Sequence, residues 1–424
     1  MKTTRFYGWT LLGTFWCLMF LNLGFPAYGS AVLNAAMAQS LGLSRETLGS
    51  TFSVYMIMSG LPGPLVAMCV NRLGVRATLV IGSLLVVLGS VLMATIVSSG
   101  PGAMVCFGLL VGTGVATGAA LASQAGLVRW FVRRRALALS ILYSAGGIGG
   151  FVAAPLLNRL VDATGNWRSG WWLLAGLSTL AAVLALVFVR EQPADLGQLP
   201  DGDATPAAGE QSPAHQRPAF ITRHEWSARS AMHHPSYWLI LLTFVGGSGG
   251  YTLFLAHGIV HLQDLGHTRA VGAWAVSTMT ISTLLAKVVI ATIGDRYDPR
   301  YIWAAFLAIF GVGLVLIVHA YSLTQVLLFA TCLGIGFGGG LVCLMAVLSN
   351  YYGTRAFASL AGLAVAINTT LSAIAPKVAG RLYDHGVGYG GTFYFLAAWC
   401  FVGAVVLYLL RMPQPRAGQD QQRA

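Results

Sequence analysis

Lys287 is a basic residue in a place where basic residues are costly. It lies about two helical turns inside an apolar run over residues 270–293, ahead of the loop at Gly294-Asp295. A lysine at the centre of a bilayer costs about 2.5–3.5 kcal/mol on insertion scales. No Asp or Glu lies in the core of any apolar run, so no carboxylate in the same surroundings offsets that cost. Water in a central cavity or an anionic ligand would offset it. A lysine that snorkels to the surface is the structural alternative. Thr280 and Thr283 precede Lys287 by seven and four residues and share its helix face, with Ser277 nearby. Asn368 and Ser372 make a similar polar pair, four apart, in a later run. Membrane Ser and Thr also bond to their own backbone, so both the ligand role and the self-bonded role stand for these hydroxyls. Asn22 and Tyr28 flank Gly24 and Pro26, which loosen a helix and suit a moving gate.

His257 and His261 stand four residues apart. That spacing suits zinc, but no third ligand accompanies it, so no metal site is expected. Histidine titrates near neutral pH. His257, together with Lys287 itself, is therefore a candidate for proton coupling. No Ser/His/Asp set, His cluster or intramembrane carboxylate supports an enzyme, and no cofactor is implied.

Long apolar elements must hold these residues. The 424-residue chain is 56% hydrophobic and only 9% charged; soluble proteins carry about 25% charged residues. Its mean hydropathy is +0.71. These values exclude a soluble enzyme, a secreted disulfide scaffold and a disordered chain. The six cysteines all lie in apolar stretches without a C-x-x-C pair and read as reduced thiols. The net charge of +12 comes from short basic clusters between apolar runs, not from a basic domain, so nucleic acid is not an expected partner.

Twelve runs are long enough to cross a bilayer: 8–32, 48–70, 77–98, 102–125, 137–161, 169–190, 237–259, 270–293, 302–319, 323–348, 357–376 and 389–411. The first is too long for a signal peptide and lacks a cleavage site, so it reads as a membrane helix. Residues 191–235 form a polar linker rich in Pro and Gly, with a short surface helix expected near 221–232. The organisation is thus a six-helix half over 1–190, the linker, a second half over 236–412 and a tail over 413–424. With the N-terminus inside, 18 Lys and Arg residues fall on one side of the membrane and 6 on the other. This bias puts the linker and both termini in the cytoplasm. Arg- and Ala-rich usage points to a bacterial cell membrane.

The halves repeat. Asn71-Arg72 follows the second run, and Asp295-Arg296 follows the eighth, 224 residues later. Arg159-Leu160-x-Asp162 closes the fifth run and Arg381-Leu382-x-Asp384 closes the eleventh, 222 residues later. Two like-oriented halves joined by a linker are the plan of a secondary transporter.

On these residues the chain resembles the major facilitator superfamily, and within it the monocarboxylate carriers and oxalate–formate antiporters. The resemblance covers nearly the whole chain. Its strongest part is Arg129-Trp130-Phe131-Val132-Arg133-Arg134-Arg135-Ala136-Leu137-Ala138, followed by Ser144-Ala145-Gly146-Gly147 and Gly149-Gly150. Gly8-Trp9 is similar to an element at the start of the family's first helix. The superfamily's loop motif, Gly-x-x-x-Asp-Arg-x-Gly-x-Arg, stands here with Ala67 and Asn71 in place of its glycine and aspartate, while Arg72, Gly74 and Arg76 remain. A looser gate and a capping role are both open for Asn71.

The resemblance implies an all-α fold of twelve transmembrane helices in two pseudo-repeats. It implies that Lys287, eight residues before Asp295, takes the place of a substrate-binding arginine. It sets Tyr28 where a family tyrosine faces the substrate; an interfacial anchor is the other reading. Thr283 occupies the position where many carriers hold an aspartate that takes up the proton. The expected function is alternating-access transport of small organic anions, most simply monocarboxylates, by a monomer, through symport or antiport. Lys287, Tyr28, Thr280, Thr283, Asn22 and Asn368 would form the site, and Asn71, Arg72, Arg76, Asp295 and Arg296 the loop gate. The alternative is a carrier of larger amphipathic compounds such as drugs or siderophores.

Overall fold

The computed structural model describes residues 6–132, 134–202, 222, 224, 226–293 and 297–414. Arg133, Asp295 and Arg296 lie outside them. Among the described residues, eleven helices are long and apolar enough to cross a membrane. The remaining pass, Arg45–Gly60, has 16 residues, and its continuation is joined to the next helix, Gly63–Thr95. That helix reverses at Gly74, where φ is 87°, a conformation that only glycine adopts without penalty. The turn completes one pass with 63–73 and begins another with 75–95.

The twelve passes are α1 (Gly8–Leu41), α2 (Arg45–Gly60 with 63–73), α3 (75–95), α4 (Gly100–Trp130), α5 (Leu137–Thr164) and α6 (Arg168–Phe188) in one half. The other half holds α7 (Pro235–Asp264), α8 (Arg269–Ile293), α9 (Pro299–His319), α10 (Leu323–Gly353), α11 (Ser359–Asp384) and α12 (Gly390–Leu409). Local chemistry starts several of them. The Ser44 hydroxyl accepts from the Thr47 N–H at α2, and Ser322 forms a capping box with Gln325 at α10. Small residues let the backbones touch, which matters in lipid because no hydrophobic force draws helices together. A Cβ at Gly24 of α1 would come 2.6 Å from the Gly149 Cα of α5.

Two central helices are irregular. The middle of α1, Phe20–Gly29, is π-helical and contains Gly24 and Pro26. In α4 the helix breaks at Ala119 (φ −132°, ψ −110°). Such interruptions are tolerated in a membrane where they line a cavity and where a neighbour satisfies the freed backbone. The described parts of the linker pack on one face of the bundle, called here the linker face. Its short helix covers Ala228–Met232, the later part of the expected stretch. Buried Trp226 anchors it edge-on to Tyr352, and the Thr222 N–H donates to the Asn350 carbonyl at 2.7 Å.

Candidate functional site: a cleft between the halves

The halves meet along α2 with α11 and α5 with α8. On the face opposite the linker they are sealed. A Cβ at Gly49 of α2 would stand 2.2 Å from the Pro376 carbonyl oxygen of α11 and 2.7 Å from His257 Nε2. A Cβ at Gly380 of α11 would stand 2.2 Å from the Arg45 carbonyl oxygen. Two polar latches complete this seal. The Asp384 carboxylate accepts from the N–H groups of Arg45 and Glu46, at 3.1 and 2.8 Å, and so caps α2 from the other half. The Arg45 guanidinium donates to Asp264 at 2.8 Å and lies over the Tyr383 ring. Asp162, at the end of α5, pairs with Arg269 at the start of α8, whose Nε also donates to Asn158 Oδ1 at 2.9 Å. Asp162 and Asp384 are the paired positions of the internal repeat. Each reaches across to the start of a helix in the opposite half.

The contact continues to mid-depth. The Ser277 hydroxyl donates to the Phe151 carbonyl at 2.8 Å, Thr280 packs at Gly150, and Leu284 packs at Gly147. Toward the linker face, among the described residues, no hydrogen bond or ion pair joins the halves. Among the described residues, the polar links between the halves thus gather at the sealed face and at mid-depth.

Residues 277, 280 and 284 of α8 touch α5 in turn, and Lys287 is the next residue of that stripe, at the level where the halves part. It is partly buried, and among the described residues no hydrogen bond or ion pair to it is present. The bundle also contains a cavity of about 200 Å³, whose lining does not include Lys287. Its walls are α1, α2, α4 and α7, and three of its lining residues are Tyr28, Tyr55 and Tyr251. The irregular stretches of α1 and α4 both contribute to those walls. Tyr28 and Tyr251 line the cavity from opposite halves. Tyr251 stacks on Phe337 of α10, with centroids 3.6 Å apart and planes 2° from parallel. A Cβ at Gly150 would meet Thr280 at 2.6 Å and the Tyr28 ring at 2.8 Å, so that glycine makes the space for both.

Of the expected residues, Tyr28 lines the cavity, Lys287 continues the α8 stripe that touches α5, and Thr280 is buried against Gly150 with its hydroxyl donating to the Ser277 carbonyl at 2.9 Å; the others are turned elsewhere. Asn22 is fully buried and donates to Ser83 Oγ at 2.7 Å and to the Gly118 carbonyl at 3.1 Å. That carbonyl is one freed by the break in α4, so Asn22 serves the helix packing and does not line the cavity. The Thr283 hydroxyl lies 2.9 Å from the Met279 carbonyl and 3.1 Å from that of Gly334, so it faces α10. Asn368 is buried with Oδ1 unpartnered, beside Thr369, which packs at Gly60 of α2. His257 Nε2 donates to the Pro376 carbonyl at 2.9 Å, and its Nδ1 meets the Tyr389 hydroxyl at 3.0 Å. It sits in the seal, directly behind Gly49. No group of three metal-binding side chains exists among the described residues.

At the linker face, Asn71 and Arg72 are exposed and have no hydrogen-bond partner among the described residues. The carboxylate that the loop sequence lacks comes from Glu191, just past α6. It accepts from the N–H groups of Val75 and Arg76, both at 2.9 Å, and pairs with Arg129 at 3.3 Å. Arg76 also donates to the Leu186 carbonyl at 2.9 Å. The sequence reading took Glu191 only as the start of the linker. Its one signal is an acid immediately following a long apolar run. Glu191→Ala removes a cap from α3, and caps are worth about 1–2 kcal/mol. The variant is expected to unfold about 1–2 °C lower in detergent. An unchanged thermal midpoint would show the contact to be incidental.

Two like-built six-helix halves sealed at one face, with a cavity among their helices and a lysine within a span that has no hydrogen bond or ion pair among the described residues, make up a multi-pass membrane protein. The comparisons with known proteins agree. The Major Facilitator Superfamily profile matches residues 14–268 and 240–424, and the chain belongs to that family. It is therefore a transporter and not an enzyme. It is 23% identical to the gentisate transporter of Corynebacterium glutamicum, over 94% of this chain and 86% of that one. It is 26% identical to monocarboxylate transporter 13 of Rattus norvegicus, over 80% and 74%. Among solved structures, the nucleoside transporter NupG matches with a TM-score of 0.70 at 14% identity, over 94% of this chain and 99% of that one. A bacterial homologue of the human lysosomal transporter Spinster, in an inward-facing and occupied conformation, matches equally well, with a TM-score of 0.70 and 14% identity over 96% and 97%. These two share the fold.

Proposed function

We propose that the protein carries small organic monoanions, of the monocarboxylate class, by alternating access. The observation that carries this reading is Lys287: a cation within a span, next along the α8 stripe that touches α5, with no hydrogen bond or ion pair among the described residues. An anionic substrate offsets the cost of burying that charge. Relatives named for gentisate and monocarboxylates support the sign of the substrate. A lysine offers one compact charge and no fork of donors, which suits a single carboxylate. The 18-to-6 bias of Lys and Arg supports a cytoplasmic linker face. The carrier works as a monomer, with the halves rocking about the cleft. His257 is the proposed proton carrier, because movement of α2 away from α11 uncovers it. Exchange without protons is the other coupling mode.

The test is uptake of labelled lactate, pyruvate, formate, acetate and oxalate into proteoliposomes, with and without an inward-directed pH gradient. Saturable uptake of at least one acid is expected. Acceleration by the gradient would assign proton symport; indifference to it would assign exchange or facilitated diffusion. The apolar walls of the cavity favour the second reading, larger amphipathic substrates, and failure to carry any acid, short or ring-bearing, would select it.

A further inference from the structure

We infer that the substrate is a flat, ring-bearing monocarboxylate, held with its carboxylate at Lys287 and its ring in the tyrosine-lined cavity. This rests on the carrier reading above and narrows it. The first argument is distance. Thr280 and the Tyr28 ring both crowd the same Gly150 position, so Tyr28 stands at the level of Thr280. Lys287 is seven residues further along α8, about 10 Å along the axis. Its side chain leans back toward the N-terminal end of the helix, which is the direction of the cavity. That lean covers part of the distance and leaves a gap. A two- or three-carbon acid bound at Lys287 ends short of the tyrosines, whereas a benzoate-type acid reaches them.

The second argument is volume. The cavity holds about 200 Å³, and a cavity of about 150 Å³ is enough to bind benzene. The third is wall chemistry. Leu23, Ala27, Met56 and Leu255 supply apolar contact, and the rings of Tyr28 and Tyr55 supply aromatic surface. The cavity lining contains no charged side chain, so a second carboxylate has no partner there. Its polar side chains are three phenols and Ser59, whose hydroxyl donates to the Met56 carbonyl at 2.9 Å. Tyr251, fixed by its stack on Phe337, is positioned to read a hydroxyl on the ring. It belongs to the opposite half from Tyr28, so a ring between the two engages both halves.

The experiment compares acetate, lactate, hexanoate, benzoate and 4-hydroxybenzoate in proteoliposomes of the full chain, for wild type, Tyr251→Phe and Tyr28→Phe. Both substitutions keep the ring, and correct assembly is read by size exclusion. The inference expects a KM for 4-hydroxybenzoate at least tenfold below that for lactate. It expects Tyr251→Phe to raise that KM several-fold while leaving benzoate and lactate within twofold. Equal or better transport of lactate or hexanoate would overturn the ring-bearing class and leave the anion carrier standing. A Tyr251→Phe effect equal on all five acids would overturn the assignment of Tyr251. Transport of none of the acids would overturn the carrier reading itself.

Discussion

Lys287→Gln is expected to lower carrier-mediated uptake of the transported acid at least roughly thirtyfold, because removing one partner of a buried charge pair costs about 2–5 kcal/mol. The fold should survive. A glutamine has nearly the same length and carries no charge, so it removes the cost of holding an unpaired cation among apolar helices. The thermal midpoint of the purified variant should therefore stay level or rise, although transport is lost. Lys287→Arg should retain part of the activity, since the positive charge remains and only the donor geometry changes. Uptake at the wild-type rate in Lys287→Gln would remove the lysine from the site. A fall in both stability and uptake would instead make it a structural residue.

The second large effect is expected at the seal. In Gly49→Leu, the Cβ alone falls 2.2 Å from the Pro376 carbonyl, and the rest of the side chain has nowhere to go while α2 and α11 touch. Overpacking costs about 1–3 kcal/mol, and here the cost applies only to the sealed state. Opening the face away from the linker relieves it. The variant is thus expected to assemble normally, to favour the opposite opening and to turn over about tenfold more slowly or worse, in line with a shift of that size in the conformational equilibrium. A cysteine at Ser53, one turn from Gly49 and buried in this structure, reports the change. In an otherwise cysteine-free chain, a membrane-impermeant maleimide added from the sealed side should label it faster when Gly49 is leucine. Unchanged labelling and unchanged turnover would mean that α2 and α11 do not close the carrier. The latches at Asp162 and Asp384 act in the same direction with smaller energies, as partly exposed ion pairs and caps do.

Much of this architecture is legible in the sequence because it depends on local properties. The number and length of apolar runs follow from the thickness of a bilayer, and the eleven long helices with the bent α2 match the twelve runs. The two-fold repeat also shows in the spacing of Asp162 and Asp384, and the cost of Lys287 follows from its depth alone. The direction in which a side chain points is not a local property here. Asn22 and Tyr28 are six residues apart on α1, but the π-helical stretch between them breaks the regular 3.6-residue count. Asn22 therefore turns to the freed carbonyl of Gly118 while Tyr28 turns to the cleft. Thr283 and Thr280 share a face on paper. In the bundle, α10 approaches so closely that Thr283 binds the Gly334 carbonyl instead.

The sequence by itself determined a multi-pass chain, two related halves and one isolated buried cation, because hydropathy, repetition and charge are read residue by residue. The tertiary structure alone decided which hydroxyls surround the cavity, that Glu191 takes over from the missing loop aspartate, and that the repeated aspartates latch the opposite half. Each of those outcomes depends on two segments distant in sequence meeting at one place, and on helix breaks that rotate one side chain inward and its neighbour away.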